Sequence, residues 1–370
     1  MFDRADLKAA QEAGVLSKEQ VQRLDAFLTR RQDPSASGGN EDLKFLANFN
    51  DIFITTGIII LAIGLTAMTS LIVSPMMSSM ASSGQIGFIA PMILLPVAAA
   101  MWGLAEYFCG KRRLLLPSMA LTSIFVVYVG LSVGSVSSGI SGLNPDTIES
   151  FFGAWSTLGS TGIASFLGMV GAALVVFMRF RLPFSLLLLA LSMAGVAYTF
   201  TGFFGSTGYI ISGIAFFVVG LSTLAAAMYF DARDPQRASL SSDNAFWLHV
   251  AAAPQLIWGL RSMIVGSGFA MPNQAEAAMI VIVLFAIGLL SLALNRRALI
   301  VSGLITFAMA LGRLVEETGG GETTNAVITL LLLGTGIILL GGGWHTARRL
   351  VLRFLPTRGV VGRLFPPEPA

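Results

Sequence analysis

From about residue 50 onward the chain is a train of apolar runs, each close to the ~20 residues that cross a ~30 Å hydrocarbon core. Few folds tolerate this pattern. A backbone in lipid must satisfy its own hydrogen bonds, so spans of this length are helices. The connections between the runs alternate in charge. Lys111, Arg112 and Arg113 fill one, and the next has no Lys or Arg. Arg179 and Arg181, Arg233 and Arg237, and Arg296 and Arg297 follow, each pair succeeded by a connection without basic residues, and Arg348 and Arg349 come last. This alternation predicts an even number of spans with both termini in the cytoplasm. Arg261 and Arg313 break the pattern, because both fall inside predicted spans.

Hydrophobic residues make up 55% of the chain and charged residues 12%, with a mean hydropathy of +0.78. A soluble domain carries about 25% charge, so the composition is that of an integral membrane protein. The sequence pI of about 9.2 follows from topology: the 23 basic residues fall before the first run, in cytoplasmic connections and tail, or at Arg261 and Arg313. No basic-aromatic surface remains for a nucleic acid, which is excluded as a partner. Cys109 is the single cysteine, so an intramolecular disulfide and a thiolate cluster are ruled out. The hydrophilic first forty residues argue against a cleaved signal peptide.

The predicted spans are 51–73, 87–109, 114–136, 157–178, 183–203, 208–230, 244–267, 275–295, 298–315 and 325–346. The expected fold is therefore an all-α integral membrane protein of about ten transmembrane helices. Residues 1–45 form a cytoplasmic helical hairpin and linker, 46–346 the transmembrane domain, and 347–370 a basic amphipathic tail on the anionic inner leaflet. Ser17 and Gln20 have the spacing of a capping box and start the second hairpin helix. The hairpin's apolar surface is too small for a core of its own, which makes residues 1–30 a candidate surface for a protein partner or a second copy of the chain. A longer outer connection, 137–156, carries Phe151, Phe152 and Trp155 at interfacial positions. Gly130 and Gly134 mark a close helix crossing, and Gly341, Gly342 and Gly343 suggest either a close crossing or a weak spot in the last span. Gly319 to Gly321 close a short turn.

Ionisable groups inside a membrane are functional candidates by default. The seventh run carries His249, Pro254, Gln255 and Arg261, with Gln255 near the predicted midplane and a carbonyl freed by Pro254 beside it. Arg313 reaches Glu316 or Glu317 at helical spacing, and together with Arg261 these residues suggest a charge cluster at the outer side. Such a cluster serves as a clamp between helices, as a site for an anion or carboxylate, or as a partner for lipid headgroups. Glu106 is neutralised by the neighbouring Lys111, Arg112 and Arg113, and Asp51 caps the first span. No catalytic motif, metal-ligand set or cofactor signature is present; His249 and His345 are the only histidines.

The "AGVLSKEQ" segment within Leu7 to Leu28, "FNDIFITTGIIILAIG" at 49–64 and "AFWLHVAAAPQLI" at 245–257 are similar to stretches of bacterial multi-pass membrane proteins of unknown function that begin with a short helical hairpin. The resemblance implies a ten-span architecture and no particular activity. The expected role is a non-catalytic scaffold, assembly or regulatory protein of a bacterial inner membrane. A small-solute transporter with a 5+5 helix arrangement is the alternative, although spans one to five and six to ten show no convincing similarity. A sensor in which the hairpin reports on the outer charge cluster is a third reading.

Overall fold

The computed structural model describes residues 49–83, 85–140, 159–234, 240–266, 272–294, 298–316, 319 and 321–353, with residues 13, 17, 19–21 and 24 of the N-terminal region. No strand occurs among them. The long helices are α1 (Phe49–Ser82), α2 (Ile89–Ala105), α3 (Leu115–Ile140), α4 (Gly159–Phe180) and α5 (Phe184–Thr201). They continue as α6 (Gly208–Arg233), α7 (Leu240–Val265), α8 (Gln274–Leu294), α9 (Ala298–Glu316) and α10 (Gly321–Leu352). Each predicted run overlaps one of these. Eight, all but α7 and α9, are long and apolar enough to cross a membrane. The described residues are helical apart from short connections, and the eight apolar helices are compatible with a multi-pass membrane protein.

Several ends differ from expectation. α1 runs on through Pro75 to Ser82, and α10 continues without a break past Arg348 and Arg349 to Leu352. Arg348 is buried, so the basic stretch begins as a continuation of the span rather than as a separate surface segment. The hairpin, the 137–156 connection beyond Ile140 and the tail beyond Arg353 lie outside the described residues, apart from the capping box. There the Ser17 amide donates to Gln20 Oε1 at 2.9 Å and the Gln20 amide to Ser17 Oγ at 3.2 Å, as the spacing predicts.

The chain divides into two compact units, Met1–Ala47 with Pro367–Ala370, and Asn48–Pro366. In the second unit the core is a series of helix-to-helix seams. Val97, Met101 and Leu121 join α2 to α3, with Ile58 and Ala62 of α1 packed against them. Val126, Met169, Ala173 and Val176 join α3 to α4. Leu186 and Ala190 of α5, Ala227 of α6, and Leu248 and Ala251 of α7 form another seam. Ala277, Ile280 and Ala310 hold α8 to α9.

Between lipid-immersed helices the hydrophobic effect offers little driving force, so close packing must hold them together. At α3/α4 a Cβ on Gly134 would lie 3.1 Å from the Thr161 carbonyl oxygen, and one on Gly130 2.7 Å from that of Ser165. The expected crossing at these glycines is therefore present. The seam between α6 and α7 is equally intolerant. A Cβ on Gly259 would sit 2.6 Å from the Phe217 nitrogen and 2.9 Å from the Gly213 oxygen. The expected crossing at Gly341, Gly342 and Gly343 is not found, because a Cβ there meets nothing within 4 Å. That part of α10 is on the periphery, where Ile337, Ile338 and Leu339 are exposed. Gly319 and Gly321 do close a turn, with φ of 79° and 78°, values that suit glycine.

Two contacts fix an antiparallel direction for helices consecutive in the chain. Ser135, late in α3, donates to the Gly87 carbonyl just before α2, and Arg313, late in α9, donates to the Pro272 carbonyl just before α8. On one face the basic connections gather. Glu106, just past α2, pairs with Arg179 at the end of α4, and Phe184 at the start of α5 stacks edge-on against Trp247 of α7. With Asp231 near the end of α6 against His249 of α7, the Lys111–Arg113, Arg179–Arg181 and Arg233 ends share one side.

Candidate functional site

α7 is the most polar of the long helices and packs on α5, α6, α8 and α9. Its buried residues include Asn244, His249, Gln255, Arg261 and Ser262 among alanines and leucines. An α-helix turns about 100° per residue. His249, Gln255 and Arg261 are spaced six apart, so each step rotates the side chain by roughly 240°. The three point about 120° from one another and meet three different surroundings.

His249 faces α6. Its Nε2 lies 2.8 Å from Asp231 Oδ2, with the imidazole side chain 0% and the carboxylate 14% exposed. A carboxylate fixes an imidazole's tautomer and orientation, and sequence reading missed it because Asp231 stands among the charges of a presumed loop. α6 extends to Arg233 and carries Asp231 into the helix pair. A carboxylate–imidazole pair is part of a hydrolytic triad. With the ring fully enclosed, a substrate would reach it only by separating α6 from α7.

Gln255 faces α5. Its Nε2 donates to the Ala190 carbonyl at 2.9 Å, and its Oε1 has no hydrogen-bond partner among the described residues. Ala190 lies in the first half of α5, so Gln255 sits nearer the Arg181 end than the predicted midplane. α7 begins earlier relative to its neighbours than hydropathy alone indicates, since Leu240, Ser241 and Ser242 are already helical.

Arg261 is 5% exposed, and its guanidinium carbon lies 5.9 Å from the Trp258 ring centroid. It lines a niche of about 10 Å³ with Ile257, Leu260, Ile264, Ile280, Val283 and Leu284. This space is about that of one water molecule, and no carboxylate is among its walls. Arg313 instead takes up Glu316 in an ion pair and the Pro272 carbonyl at 3.0 Å. Asn325 of α10 reaches the Glu316 carbonyl at 3.4 Å. These contacts tie α9 to the start of α8 and to α10. Glu317 and the side chain of His345 lie outside the described residues.

Glu106 corrects another expectation. Its partner is not the adjacent basic run but Arg179, which donates through Nε to Oε1 at 2.9 Å and through Nη2 to Oε2 at 2.7 Å. The bidentate geometry matches a guanidinium to a carboxylate. Glu106 opens the π-helical turn, Glu106–Arg112, that follows α2. Among the described residues no group of three or more His, Cys, Asp or Glu is arranged to hold a metal ion.

No protein-family model, curated protein or solved structure matches this chain.

Proposed function

We propose that the chain is a ten-span protein of a bacterial inner membrane, with both termini in the cytoplasm, acting as a non-catalytic scaffold, assembly or regulatory protein. The observation that carries this reading is the divergence of His249, Gln255 and Arg261. A transport site needs polar groups converging on one cavity near the midplane; here each is spent on a different side of α7. The gathering of three basic connections on one face supports the topology. The two halves also differ in construction, which weighs against a 5+5 repeat. α6 and α7 cross closely at Gly213, Gly220 and Gly259, whereas a Cβ on Gly57, Gly64 or Gly103 of α1 and α2 meets nothing within 4 Å. In this reading residues 1–30 engage a protein partner or a second copy of the chain.

Solute uptake by sealed vesicles containing wild-type or Arg261→Ala protein tests the proposal. Background uptake by both across a broad panel of ions, sugars and amino acids is the expected result. Uptake of any solute by the wild type, lost in Arg261→Ala, would replace the scaffold with a transporter.

A further inference from the structure

The ends of α2 and α4 meet, and they bring more positive charge together than the protein neutralises. Phe180 packs between Trp102 and the α2 end, while Arg179 and Glu106 lock the two helices. Around this joint stand Lys111, Arg112, Arg113 and Arg181, all exposed. Arg112 leans on Tyr107, donating to its hydroxyl at 3.1 Å. Among the described residues Lys111, Arg113 and Arg181 have no acidic partner, and the one carboxylate at the joint, Glu106, is occupied by Arg179.

The backbone adds a second observation. Arg113 and Arg181 have φ of 53° and 50°. Both close a helix in the left-handed conformation where glycine is the usual residue. The Arg113 amide bonds back to Phe108 and the Arg181 amide to Phe177. Two neighbouring helices therefore end in the same strained way, each on an arginine, at a common edge. Unfavourable backbone conformations that persist in pairs point to a use for the side chain.

We propose that this joint binds the phosphate-bearing headgroup of an anionic phospholipid. The helices enter the bilayer at this edge, so the cations lie at headgroup level. Arginine offers planar donor pairs to phosphate oxygens, and basic pockets between helix ends suit acidic headgroups. The site requires only that α2 and α4 cross a membrane, and it does not depend on the scaffold role.

The test compares full-length protein in phosphatidylcholine nanodiscs with and without phosphatidylglycerol, reading the lipid retained after detergent exchange by native mass spectrometry. Wild-type protein is expected to retain phosphatidylglycerol preferentially. Arg113→Gln/Arg181→Gln should retain it roughly tenfold less, and the charge-matched Arg233→Gln/Arg237→Gln should match wild type. An equal loss in both variants would overturn a discrete site in favour of diffuse surface charge. Equal protection by inorganic phosphate alone would overturn a lipid in favour of a free anion. Should the Gln variant not fold, salt titration of the wild type decides: retention that is insensitive to salt would refute the charged site. Failure to enter nanodiscs would count against membrane insertion itself, whereas insertion without lipid preference would refute only this site.

Discussion

Asp231 and His249 show how a buried ionisable pair is distributed between two elements. The contact joins residues eighteen apart in the chain and exists because α6 and α7 lie side by side. Removing one partner leaves the other buried without its bond, which costs more than losing the pair. Loss of the enclosed ring adds a cavity. His249→Ala is expected to cost about 2–4 kcal/mol of unfolding free energy. With Asp231→Ala and the double variant, it should close a cycle with a coupling of about 1–2 kcal/mol. Denaturation of the detergent-solubilised protein measures all three, and additive losses would show that the two residues do not depend on each other.

At the level of elements, glycines distinguish the seams from the periphery. Gly259→Ala should be strongly destabilising, by about 2–3 kcal/mol, because backbone atoms of α6 occupy the space its Cβ would need. Gly342→Ala should be neutral or stabilising by up to about 1 kcal/mol, since it adds helix propensity in open space. Thermal unfolding of the two variants checks the contrast, and equal behaviour would contradict the α6/α7 seam. The helices themselves were legible from hydropathy because every span must be apolar over a fixed length. The Arg313 to Glu316 pair was legible because it is local to one helix. Glu106 was not, because its partner stands on another element, while a misleading basic run stood five residues away. The three-way divergence of His249, Gln255 and Arg261 was written in their six-residue spacing, yet their shared helix suggested a shared site. Gly213, Gly220 and Gly259 gave no short small-residue repeat, so only the packed pair α6/α7 exposes their role.

Among the described residues, a few polar groups within the helices join one helix to another, and charge is concentrated where the helices end. α7 makes both kinds of use. It holds α6 through His249 and α5 through Gln255, and its Arg261 stands at a niche beside α8. The scaffold role requires that no aqueous path lead to this helix in the folded protein. It is tested most directly by thiol labelling of Gln255→Cys in a Cys109→Ser background, with a membrane-impermeant maleimide added to either side of sealed vesicles. The expected result is no labelling from either side until the protein is unfolded in detergent. Rapid labelling of the folded protein from one side would reveal a water-filled route to Gln255 and contradict the closed, clamped helix.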